Sequence, residues 1–248
     1  MISRKVYLKA PPGYDLRSRL NWFQKLRLTL SLVLIGVGIS FLTSVIYPLL
    51  AYQFLAAPKF HHSPSDFQPQ LKTQLSHQPL FLPEMVDNQI DYTQAHNWFP
   101  KVKPVRPQAL SQPVAYYNLS IPKLGIDNAL VRVGGEDLKS SLIQYQGTAL
   151  PGELGNPVIY GHSVLPQYFD PHNYTRIFST LYTLKPGDKI IIKLADIEYT
   201  YVIIDMYEVK PDDLSPLAQT YDGYYLTLIT CTPPGTFLRR LIVRAKIQ

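Results

Sequence analysis

Three patterns of apolar and polar positions follow one another along the chain. Leu28 to Ala57 carries no charged residue, and its LTLSLVLIGVGISFLTSVIYPLL exceeds the roughly 20 apolar residues that cross a bilayer. That predicts a transmembrane helix over 28–57. Residues 58–113 are polar and punctuated by Pro58, Pro64, Pro69, Pro79, Pro83, Pro100, Pro104, Pro107 and Pro113. Proline at this density forbids long helices and strands, which predicts an extended linker. From Val114 onward, short apolar segments alternate with turn residues. Strands are expected near 115–121, 129–133, 156–161, 188–194, 198–209, 223–231 and 238–247, and EYTYVIIDMYEV at 198–209 alternates most clearly. Two short helices fit between them, one near 137–145 with Leu138, Leu142 and Tyr145 on one face, the other near 174–181 with Ile177, Phe178 and Leu181. Many short strands with few helices predict an all-β barrel or sandwich over 114–248.

Composition and charge sharpen this outline. The 248 residues and 46% hydrophobic content allow one domain with a real core, and the 22 prolines indicate that part of the chain is not compact. The net charge of +6 could suggest a nucleic-acid partner, but Arg4, Lys5, Lys9, Arg17, Arg19, Lys25 and Arg27 face only Asp15 before the apolar run. The positive-inside tendency explains that cluster by placing residues 1–27 in the cytoplasm and everything after the helix outside. No nucleic acid is expected. A cleaved signal peptide fits less well, because the apolar run is too long and Phe54, Leu55 and Ala56 do not make a small-x-small cleavage site. Within the linker, VDNQIDYTQAHNWFP at 86–100 carries Ile90, Tyr92, Trp98 and Phe99; it is either a segment that docks on the following domain or plain linker. His61 and His62 lack a third ligand, so no metal is expected there.

The chemistry concentrates at Tyr224 to Arg244, YYLTLITCTPPGTFLRRLIVR. A strand ends on Cys231, the only cysteine, followed by a Pro-Pro-Gly loop and a second strand that opens with Arg239 and Arg240. A single cysteine excludes internal disulfides and argues against a structural thiolate zinc site. A cysteine attacks as its thiolate, which a nearby cation favours, and an arginine also holds negative charge developing on a carbonyl oxygen. The best-placed proton carrier among the six histidines is His162, at the end of the apolar run in NPVIYGHS. Adjacent arginines in a strand point to opposite faces, and parity does not decide between Arg239 and Arg240.

These boxes resemble those of the sortase family, the cysteine transpeptidases that attach proteins to the Gram-positive cell surface. The TLxTC box is matched by Thr227, Leu228, Thr230 and Cys231, the histidine box by Gly161 and His162, and the last-strand arginine by Arg240 in RLIVRA. LSIPKLGIDNALV at 119–131 and IFSTLYTLKPGDKIII resemble further family stretches, so the likeness covers roughly 114–248. It implies a closed eight-stranded sortase-type barrel with a few short helices, and catalysis by Cys231, His162 and Arg240, with Arg239 as the second choice. It also implies an LPxTG-like sorting signal on a surface protein as substrate, and an amine on a cell-wall precursor or another surface protein as acceptor. Leu228, Ile229, Thr230 and Ser163 are the expected substrate-binding residues, together with the loop from Val164 to Phe169. No cofactor is demanded, and no acidic cluster suggests the calcium that some members bind. The CTP after the box strand leans towards the pilin-polymerising or class D and E types. The lack of a second apolar segment before Gln248 and of an Asp-Pro-aromatic motif favours housekeeping anchoring. Two other readings remain: a hydrolytic cysteine peptidase using the same residues, and a non-enzymatic membrane-tethered β-domain that binds a surface component.

Overall fold

The computed structural model describes residues 16–60, 94–98 and 116–248. Residues 1–15 and most of the proline-rich stretch, including His61, His62, Ile90, Tyr92 and Phe99, lie outside the described residues. The described chain divides into two units that meet in sequence between Tyr47 and Pro48.

The first unit is most of one helix, α1 (Leu16–Ala51), whose side chains from Trp22 onward are largely exposed and apolar. Its most apolar 18-residue window has a mean hydropathy of 2.2, long and apolar enough to cross a membrane. Beyond Ala51 the helical path continues as a π-helical turn, Tyr52–Ala56, and a 3₁₀ turn, Ala57–Phe60. Tyr52, Ala56, Ala57 and Phe60 are buried and pack into the core of the second unit, which begins at Pro48.

The second unit is a closed barrel of eight strands, in the order β1-β2-β3-β4-β7-β8-β6-β5. The strands are β1 (Tyr116–Ile121), β2 (Ile126–Val133), β3 (Leu142–Gln144), β4 (Val158–Tyr160), β5 (Lys189–Leu194), β6 (Ile197–Val209), β7 (Tyr225–Thr232) and β8 (Arg239–Ile247). Most neighbours are antiparallel; β2 with β3 and β4 with β7 are parallel. Alternation sorts the side chains into two groups. Leu119, Val131, Leu142, Ile159, Ile192, Leu228 and Val243 fill the interior, while Ile143, Val158, Tyr160, Ile229, Cys231 and Ile242 form a second cluster on the outer face, beneath Trp98. Strand β7 is therefore buried on both faces, which its near-continuous apolar sequence requires.

The two expected helices do not form. Leu142–Gln144 is drawn into the sheet as β3, between β2 and β4. Over 174–181 the backbone makes three-residue turns, with the amides of Arg176 and Ser179 bonding the carbonyls of Asn173 and Arg176. The Phe178 amide is committed elsewhere: it donates to the His162 carbonyl at 2.9 Å, so the i→i−4 ladder of an α-helix cannot pass through it. The apolar spacing there serves the interior all the same, since Ile177, Phe178 and Leu181 are all buried.

Candidate active site

Strand register brings the three chemical residues together. Cys231 is the direct antiparallel partner of Arg240 on β8. Directly opposed residues of an antiparallel pair share a face, so the thiol and the guanidinium lie on the same outer side of the barrel. On the other flank, β4 runs parallel to β7 with Tyr160 opposite Ile229, and the Gly161 amide donates to the Ile229 carbonyl at 3.1 Å. Two residues further on, His162 comes level with Cys231. The thiol thus sits at the mouth of the central strand, with the imidazole from one neighbour and the guanidinium from the other.

The register also separates the two arginines. Arg239 opposes Thr232 and lies on the barrel's inner side, where its guanidinium is 3.8 Å from the Glu208 carboxylate and its side chain is half exposed. Arg240 is fully buried; its guanidinium donates to the carbonyls of Phe237, Arg239 and Trp98 at 3.2, 3.2 and 3.0 Å, and stands 5.4 Å from the centre of the Trp98 ring. These bonds fix it in one orientation.

Threonines of the box hold the strand rather than face outward. Thr230 donates to the Gly161 carbonyl at 2.8 Å, and Thr227 to Asn156 Oδ1 at 2.8 Å, so both ends of β4 are latched to β7. Ser163 donates to the Cys231 carbonyl at 2.7 Å and closes the same link one residue beyond the histidine. Thr230 and Ser163, expected at the substrate, thus donate their hydroxyls to backbone carbonyls. Leu228 is fully buried in the interior, and Ile229 is fully buried in the outer cluster. In the expected groove loop, the Val164 amide donates to Ser179 Oγ at 2.9 Å. Leu165 packs where a Cβ on Gly235 would come within 3.2 Å, so this loop meets the Pro233–Gly235 loop, and Tyr168, Phe237 and Leu238 stand exposed on the two loops.

Trp98 decides how open the site is. It is fully buried, its ring 5.8 Å from that of His162 and 5.5 Å from that of Tyr160, and Gln94 bridges to Asp137. Of the two readings of 86–100, docking on the catalytic domain holds for 94–98. With Trp98 in place, Cys231 and His162 are buried and burial pushes the thiol up to about 11, against the downward pull of Arg240. Among the described residues there is no cluster of three His, Cys, Asp or Glu side chains suited to a metal ion.

The closed barrel of eight strands is the fold that the family resemblance implied. The sortase-domain model matches residues 119–248, just over half of the sequence, and the chain belongs to the sortase family. It is 27% identical over 132 residues to sortase D of Bacillus subtilis (strain 168), a match that covers 52% of this chain and 61% of that protein. Among solved structures, a sortase D5 transpeptidase of Clostridium perfringens is 28% identical, with a TM-score of 0.47, over 54% of this chain and 79% of that one. Sortase C1 of Streptococcus agalactiae is 32% identical, with a TM-score of 0.48, over 56% and 70%.

Proposed function

We propose that this chain is a membrane-anchored cysteine transpeptidase that cleaves an LPxTG-like sorting signal and transfers the surface protein to an amine. The observation that carries this reading is the register that pairs Cys231 with Arg240 while Ser163 ties the histidine loop to the Cys231 carbonyl. Cys231 Sγ attacks the threonine carbonyl carbon of the signal, and its proton goes to His162. Arg240 holds the oxyanion as it forms. Collapse breaks the threonine–glycine bond, His162 passes the proton to the departing glycine nitrogen, and a thioester remains on Cys231. The acceptor amine, from a cell-wall precursor or another surface protein, then attacks the thioester, with His162 taking its proton and the sulfur leaving. Entry of the signal displaces Trp98, which covers the triad. Tyr168, Phe237 and Leu238, on the loops that meet at Leu165 and Gly235, offer apolar surface for the leucine of the signal. The apolar helix anchors the enzyme, with its basic N-terminus in the cytoplasm and the barrel outside.

The test is full-length chain in detergent, incubated with a labelled LPxTG-type peptide library with and without triglycine. Threonine–glycine cleavage with amine-linked product is expected, abolished by Cys231→Ala and His162→Ala. It should fall by roughly 10²-fold or more in Arg240→Ala, as for the loss of an oxyanion donor, and change little in Arg239→Ala. Hydrolysed product alone, whatever the amine concentration, would make the protein a peptidase. No cleavage of any library member would remove the enzymatic reading.

A further inference from the structure

We infer that Tyr52, in the segment that follows the apolar helix, is a positioning residue for the nucleophile. The proposal rests on the reading of Cys231 as that nucleophile. Thr232 follows Cys231 on β7 and points to the opposite side, towards the end of the barrel interior. Its hydroxyl donates to the Tyr52 hydroxyl and also lies 3.2 Å from Glu208 Oε1. The Tyr52 hydroxyl in turn donates to the same carboxylate oxygen at 2.5 Å. Three side chains from sequence-distant segments thus close a buried triangle directly behind Cys231.

The triangle has mechanical support. Tyr52 is packed among the interior side chains, its ring edge-on to Tyr182 with 5.2 Å between centres, and Ala56, Ala57 and Phe60 are buried beside it. Glu208 is anchored on β6 and faces Arg239. Thr232 is therefore gripped on one side of β7 while Ser163 grips the Cys231 carbonyl. The thiol lies at the last turn of backbone before Pro233, where the ladder between β7 and β8 ends. A strand end held at both positions cannot swing, so the sulfur keeps its place opposite Arg240.

Removing only the Tyr52 hydroxyl leaves the ring packing intact and leaves Thr232 held by the longer contact to Glu208 alone. Full-length Tyr52→Phe in detergent is compared with wild type and with Phe60→Leu, which perturbs the same packing without a polar contact. Four quantities are read: melting temperature, the rate of Cys231 alkylation by iodoacetamide, and kcat and KM on the cleaved peptide. Tyr52→Phe should alkylate several-fold faster and lose about five- to tenfold in kcat, the size of effect expected of one buried hydrogen bond, with KM within about twofold. Phe60→Leu should lower the melting temperature at least as much and leave both rates near wild type. Unchanged alkylation in Tyr52→Phe, or the same rate changes in Phe60→Leu, would overturn the proposal. Because alkylation needs no peptide substrate, it reports on Tyr52 even if no sorting signal is cleaved.

Discussion

Burial pushes the Cys231 thiol from an ordinary value near 9 up to about 11, and Arg240 recovers only part of that shift. At pH 7 the closed site therefore holds Cys231 as the thiol. The cation beside a cysteine, legible in the sequence, activates it only once the site has opened to water or substrate. Trp98→Ala removes the ring that covers the triad, and its alkylation profile should move its midpoint down from about 11 towards 9, with faster reaction at pH 7, as followed by iodoacetamide labelling against pH. The same shift has a stability signature. A folded-state value above the unfolded one stabilises the fold below about pH 9, and that contribution is lost as pH rises through 11. The denaturant midpoint of wild type should thus fall relative to that of Cys231→Ala between these pH values. Cys231 and His162 stand out in the sequence through the boxes that resemble those of the family. Which arginine shares the face of the thiol is visible only in the register, which sets Arg240 opposite Cys231, since alternation says that the two differ in face but not which face holds the thiol.

At the scale of elements, the site depends on how β4 and β7 are fastened. Gly161 is the tightest point: a Cβ there would come within 2.3 Å of the Phe178 ring and 2.7 Å of Leu142, both buried. Gly161→Ala should cost roughly 1–3 kcal/mol or more through overpacking, seen as a lower urea midpoint at unchanged slope, and should slow cleavage by displacing His162. Long strands with clear alternation, such as β6, were legible within a residue or two. The three-residue β3 was not, because so short a run has no period of its own and its apolar spacing also suits a helix. What settles it is pairing with β2 and β4, which are distant in sequence. The stretch 174–181 was misread for a related reason: its amides serve the histidine loop, a commitment that local sequence does not display.

For the whole molecule, the barrel unit begins earlier in the chain than composition suggests, at Pro48. Apolar residues after Pro48 look like the end of a membrane helix, yet Tyr52, Ala56, Ala57 and Phe60 complete the barrel interior. A chain beginning at Val86 should be less stable than one beginning at Pro48 by roughly 3 kcal/mol or more, the scale of losing a buried aromatic side chain, measured by chemical denaturation of both.

A transpeptidase joined to cargo by a thioester carries whatever force that cargo exerts while the acceptor is awaited. Tyr52, Phe60 and Gln94 are all held by the barrel unit. In the proposed mechanism, a load entering at Cys231 passes along β7 to Thr232 and across to Tyr52. On that reading the bonds around Thr232 both position the sulfur and share the load with the covalent chain.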